Sequence, residues 1–556
     1  MTATPADLVL LGGPCFTADA ARSWTSGVAV RAGVIAALGA RDARTLIGPR
    51  TRVVELAGRS ALPGFVDAHV HPVFGGAERL RCDLTAACDA DEAVACVAAY
   101  AAKHPDRPWI VGGGWSMDQF PGAAPGRALL DAVVPDRPVF LLNRDHHDAW
   151  ANGVALRIAG VDRDTPDPVG GRIAREPDGS PAGTLHEEAA NLVGRHAPRL
   201  SEDDCLAALL EGQRHLHSFG VTGWQDAIVG AYLGYDDILP AYLRAAREGL
   251  LTGHVTGALW WDRNRGLEQI ADLVERRAAA AAPASPRPGR GRMRAGTVKI
   301  MQDGICENLT AAMLDPYYDA AGRATGDRGH GYLDAALLTQ AVTRLDALGF
   351  QVHVHAIGDR AVRDCLDAFE AAHAANGAAD NRHHIAHLQV VHPRDVPRFR
   401  KLGVTATMQM LWAAEDGQMR ALNKPVLGPE RYAGQYPFGA LCRDGAMLAA
   451  GSDWPVSSPD PLQAVHVAVN RVEPQAPPGT VPFLPEQALS LTDALAAYTA
   501  GSARVCHAES FAGSLEIGKR ADLAVLDRDV FAAARSRIAE ARVVLTVAAG
   551  EVVCED

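Results

Sequence analysis

Eight short apolar runs, each leading into a stretch of helical periodicity, constrain this chain more than any other feature. They are ALPGFVDAHVH (61–71), FGVTGWQDA (219–227), LLTGHVTGALWW (250–261), AGTVKIMQDG (295–304), FQVHVHAIGD (350–359), HHIAHLQVV (383–391), VTATMQML (404–411) and AMLAAGSDWPV (446–456). Strand-like runs alternating with helical patterns signal parallel βα units, because a parallel neighbour can be reached only through a crossover. Eight units predict an α/β fold, a (β/α)8 TIM-type barrel, whose chemistry sits at the C-terminal strand ends.

Those ends carry metal-ligating residue types. They are His69 and His71, Lys299, His355, His387 and Asp453. His69 and His71 are two apart, so both leave one face of a strand. A protonated Lys299 would be repelled by cations, whereas a neutral one can take up carbon dioxide as a carbamate that bridges two metals. Asp453 can bind a metal and also accept a proton from metal-activated water. Plainer roles stand beside these: polar core histidines, Lys299 paired with Asp303, and Asp453 capping a helix. Alternation puts His353 on the face of His355 as a buried partner. It puts His383 on the face of His387, with His384 on the other.

At 556 residues the chain exceeds one ordinary core. Strand-and-turn patterns at 1–60 and 510–556 predict a small β-sandwich built from both termini, flanking a barrel over 61–509. About 150 residues separate the first two strands, too many for a loop, so 73–215 reads as an insertion subdomain over the barrel mouth. The Pro/Arg-rich stretch 278–292 reads as a surface loop. A net charge of -12 argues against nucleic acid, and no apolar run is long enough to span a membrane. The N-terminus has no basic or long apolar leader, so cytoplasmic residence is the expectation. Ten scattered cysteines without a CxxC pair suit reduced thiols. A homodimer is the expected assembly.

LPGFVDAHVH, VKIMQDG, VHVHAIGDRAV, HHIAHLQ, GSDWPV and LEIGKRADLAVLD together resemble the amidohydrolase superfamily. Within it the chain is similar to the amidohydrolase-3 (YtcJ-like) family, which includes N-substituted formamide deformylases. GGGWSMDQF, RDHHDAWAN and DGSPAGTLHEEA, inside the insertion, carry the same resemblance. It implies two divalent metal ions, expected to be Zn2+. His69, His71 and Asp453 would bind one, His355 and His387 the other, with carboxylated Lys299 bridging them. It also implies hydrolysis of a non-peptide C–N bond in a small amide or formamide-like substrate by a metal-activated hydroxide, with Asp453 as proton shuttle. The alternatives are a mononuclear deaminase or an ester or lactone hydrolase on the same scaffold, or a non-catalytic binding protein.

In the insertion, Trp115, Asp145, His147 and Glu187 are expected to meet substrate, as is Asp303 after the fourth strand. His147 would hydrogen-bond a carbonyl or developing oxyanion. Packing of the insertion onto the barrel is the alternative for these residues. For Asp303, as for Asp359, the alternative is support of a strand end. Two positions depart from the family pattern: Ala386, where Glu is common, and His146, where Gly is common.

Overall fold

The computed structural model describes residues 4–232, 235–281 and 292–556. All eight expected strands form. They are β1 (Phe65–Val70), β2 (Val221–Val229), β3 (His254–Trp260), β4 (Met293–Met301), β5 (Gln351–Ala356), β6 (His384–His387), β7 (Thr405–Met408) and β8 (Leu448–Ala450). They lie in one parallel sheet, neighbours in chain order. Val298, Ile300, Val352, Val354 and Ile385 are buried in the main core cluster, each burial being worth about 1.5–3 kcal/mol. Lys299, Met301, His353 and His355 alternate with them and take the other face.

Helices between the strands start and stop on local chemistry. Ser201 caps Glu202–Ser218 by accepting from the Asp204 amide while Asp204 bonds back to the Ser201 N–H. Gly403 ends Val396–Leu402 in the left-handed conformation and turns the chain into β7.

The seam between β1 and β8 closes just past the end of β8. The Asp453 N–H donates to the His69 carbonyl (2.8 Å) and the His71 N–H to that of Trp454 (2.8 Å). The Asp67 carboxylate accepts from the amides of His69 (3.1 Å) and Ser452 (3.1 Å). A Cβ at position 451 would lie 2.7 Å from the His69 nitrogen, so the close approach requires glycine. Barrel closure therefore brings His69, His71 and Asp453 together.

The two termini together form one hydrogen-bonded eight-stranded sheet. Leu8–Phe16 pairs with Arg52–Glu55 along its first half and meets Ser60–Pro63 at Cys15, changing neighbour across an irregularity between Leu11 and Cys15. Ser60–Pro63 pairs with Leu523–Leu526, and residues from both termini share one core cluster. A six-stranded sheet over Cys82–Glu187 makes up the insertion. Helix Glu202–Ser218 packs back against Pro72–Arg79, the helix that follows β1. The expected loop at 278–292 lies, from 282 to 291, outside the described residues. All ten cysteines are free thiols. Among the described residues no helix is long and apolar enough to cross a membrane.

Candidate active site

A cavity of about 550 Å3 opens at the C-terminal strand ends, lined by His69, His71, Lys299, His355, His387 and Asp453, and roofed by Asp145, His146 and His147 of the insertion. Among the described residues, His69, His71 and Asp453 form the one set of three or more His, Cys, Asp or Glu whose ligand atoms all lie within 4.8 Å of one another. His69 Nε2 and His71 Nε2 face Asp453 Oδ1 at 3.1 and 3.0 Å. Lys299 Nζ lies 3.5 Å from His69 Nε2. The His355 and His387 rings are 4.3 Å apart, and His387 Nδ1 is 3.9 Å from Asp453 Oδ2.

Burial sets the protonation states. It lowers His69 to about 3, helped by Lys299, and holds His355 and His387 well below the ordinary range. Neutral imidazoles keep a lone pair for a metal. Burial also lowers Lys299 to about 7, against the pull of Asp453. Asp453 moves the other way: burial opposes ionisation, but the facing imidazoles of His69, His71 and His387 outweigh it and hold the carboxylate well below its usual range.

Two ligand candidates sit on strained backbone. His387 (φ 79°) and Asp453 (φ 58°) are left-handed, as are His146 and Glu187 in the insertion, and such non-glycine outliers cluster at functional sites. The kink at His387 breaks strand alternation. His384 lies inside the barrel, 3.9 Å from the His353 ring, with its Nδ1 on Thr407. His383 instead stacks on Phe369 and bonds Asp346. Simple alternation groups His383 with His387, and the turn at His387 separates them. The Gln409 side chain, accepting from the His387 N–H (2.8 Å), and the Trp412 ring, parallel at 5.3 Å, hold the turned imidazole. His353 is buried and bonded to His69 Nδ1 (2.9 Å), the partner role expected of it.

The insertion residues divide. His147 and Asp145 line the cavity. His147 Nδ1 is bonded to Glu187 (2.8 Å), leaving Nε2 to the cavity. Burial opposes a charge on His147, but Glu187 outweighs it and raises the ring to about 9. Glu187 lies behind the cavity wall, accepting also from Asn308 and Thr310. Trp115 is not a pocket residue. It is fully buried with Phe120 and Trp150 in the insertion's core, and its indole N–H is on the Leu141 carbonyl. Asp303 also lies off the wall. It accepts from the amides of Ala312, Ile357 and Gly358, tying the β4 and β5 ends together. Of the tryptophans, Trp412 and Trp454 reach the cavity. His146 pairs with Glu78 (2.7 Å) and so latches the insertion to the helix after β1. Glu78, Glu307, Asp416, Gln418 and Asn423 also line the cavity, and no motif announced them: Glu307 and Asp416 lie in loops, and Glu78, Gln418 and Asn423 on helical turns outside the strand ends.

The model of the Amidohydrolase family matches residues 52–554. The Arabidopsis thaliana protein LONG AFTER FAR-RED 3 is 32% identical over 94% of this chain and 87% of its own length. The N-substituted formamide deformylase of Arthrobacter pascens is 26% identical over 98% of this chain and 97% of its own. A crystal structure of an uncharacterized metal-dependent hydrolase from Pyrococcus horikoshii OT3 superposes with a TM-score of 0.72 at 26% identity, covering 95% of this chain and 99% of that one. With a match over nearly all of its length and the barrel-mouth cluster in place, this chain belongs to the Amidohydrolase family.

Proposed function

We propose that the protein is a metal-dependent hydrolase that cleaves a non-peptide C–N bond in an amide or formamide-like small molecule. The observation that carries this is the convergence of His69, His71, Lys299, His355, His387 and Asp453 on one cavity. The donors suit a divalent cation: buried neutral imidazoles, an ionised carboxylate, and two His387 ring nitrogens without any hydrogen-bond partner. His69, His71 and Asp453 would hold one ion and His355 and His387 a second, with Zn2+ the expected metal. Between them, neutral Lys299 would add to carbon dioxide, forming a carbamate and releasing a proton, and so offer oxygens where an ammonium would repel. When bound, such ions supply Lewis acidity, polarising a carbonyl and making water acidic near neutral pH.

The chain's own residues do the rest. Asp453 takes the proton of the attacking water and returns it to the leaving nitrogen. His147, fixed by Glu187, donates from Nε2 to the carbonyl oxygen as charge builds there. The insertion covers the mouth and limits water. The likeness to a formamide deformylase supports the choice of bond.

The test is elemental analysis of the purified protein joined to a screen of formamides, acyl amides, cyclic amides, amino-heterocycles and esters. Metal-dependent release of amine from an amide is the expected result, and no metal-dependent turnover anywhere in the screen would overturn the proposal. A one-metal enzyme is the second reading, favoured by the single tight trio of His69, His71 and Asp453. About one ion per chain with unmodified Lys299 would select it.

A further inference from the structure

One lobe of the cavity is acidic. Asp145, Glu307, Asp416 and Glu473 all line it. Side-chain amides join parts of the group: Gln418 donates to Asp145 (3.2 Å) and Asn423 to Glu307 (2.9 Å). Arg144 lines the cavity beside this group. It lies 3.9 Å from Asp145 and spends a guanidinium N–H on Gln418 (2.6 Å). Arg420, near Glu473, is turned to the Glu415 carbonyl. Among the described residues, Glu307, Asp416 and Glu473 make no ion pair.

Asn423 supplies an independent sign. It is 2% exposed, it closes a turn of π-helix at Met419–Asn423, and its Oδ1 has no hydrogen-bond partner. A buried acceptor left unpaired costs about 1–3 kcal/mol unless something donates to it. Turns of π-helix are also frequent at functional sites. Asn423 thus offers an acceptor on the same wall that holds the unpaired carboxylates.

We propose that this lobe is a subsite for an organic cation, so that the substrate carries an ammonium group received by Glu307, Asp416, Asp145 and Asn423. Glu473 extends the negative field toward solvent. An ammonium meets every need of the wall, because it brings positive charge and three N–H donors at once. A bare metal ion suits it less, since these carboxylates are not among the sets whose oxygens gather within 4.8 Å. The charge is also unmet: burial raises all four carboxyls, and with Asp145 nearby it pushes Glu307 up to about 6. The inference rests on the proposed hydrolysis for the rest of the substrate, and adds its charge class.

The test is calorimetric titration of the full chain with benzylammonium, benzyl alcohol and benzoate, three probes of like shape and different charge. The expected result is benzylammonium binding at least tenfold tighter than benzyl alcohol, with benzoate weakest and the preference shrinking in high salt. In Glu307→Gln/Asp416→Asn the preference should fall toward onefold. Equal binding of the ammonium and the alcohol by the unaltered chain would overturn the subsite whether or not the variant folds. So would a preference that survives in a folded double variant. Because the readout is binding, absence of amide hydrolysis together with a clear ammonium preference would sink the reaction and keep the subsite. Amide hydrolysis with no preference would do the reverse.

Discussion

The floor and the mouth of the barrel are both polar, yet they treat polarity in opposite ways. On the floor, Gln351 accepts from Gln225 (3.1 Å) and Thr297 (2.7 Å) and donates to the carbonyls of Arg382 (2.8 Å) and Val505 (2.8 Å). Most donors and acceptors are used there; among the described residues, Gln225 Oε1 and the two ring nitrogens of His254, at the start of β3, are exceptions. Two residues further along the same strands, Lys299 and His353 begin a layer rich in side-chain nitrogens. At the mouth, His387 has no partner for either ring nitrogen and His71 none for Nδ1. A paired polar layer stabilises the barrel, whereas an unpaired one costs stability and is kept for a ligand.

The sharpest break of that comparison is Asp453→Asn. It should keep metal and lose turnover by about 10²- to 10⁴-fold, as loss of a general base does; full activity would remove Asp453 from proton transfer. Lys299→Ala should empty the site of metal, with partial recovery in propionate, and unchanged metal content by elemental analysis would end the bridging role. Gln351→Leu should act only on the floor, lowering unfolding stability by about 1–3 kcal/mol in denaturant titration with metal content intact. Equal loss of metal there would erase the distinction between floor and mouth.

The smallest effect belongs to Glu187→Gln. Burial opposes both charges, yet the pair holds His147 at about 9 and Glu187 at about 2. Raised above its unfolded value, His147 contributes stability fully below about pH 6.5, and this is lost as pH rises through about 9. Glu187, lowered, contributes above about pH 4.5, and this is lost as pH falls through about 2. The variant should therefore fall furthest below the parent in melting temperature between about pH 4.5 and 6.5, and least near pH 10. A difference constant with pH would show that the pair is not ionised.

The legible part of the molecule was its periodic part. Strand runs and their ends located His69, His71, Lys299 and His355 directly, since alternation alone aims them. His387 and Asp453 were found through sequence pattern, but alternation gave no account of their direction, because each is turned by a left-handed residue. His383 and His384 were exchanged for the same reason. Trp115 and Glu187 sit in motifs whose sequence is just as distinctive, but one packs a core and the other orients a neighbour. A motif marks a constrained position and does not say what imposes the constraint.

What the chain determined by itself is the eightfold alternation of strand and helix and the ligand types at the strand ends, because these follow from local periodicity and side-chain chemistry. Only the tertiary structure decided which imidazole turns inward at β6, that His146 latches to Glu78, and that four carboxylates from separate loops share one wall. Those outcomes depend on contacts between residues far apart in sequence, made only when the barrel closes and the insertion settles over its mouth.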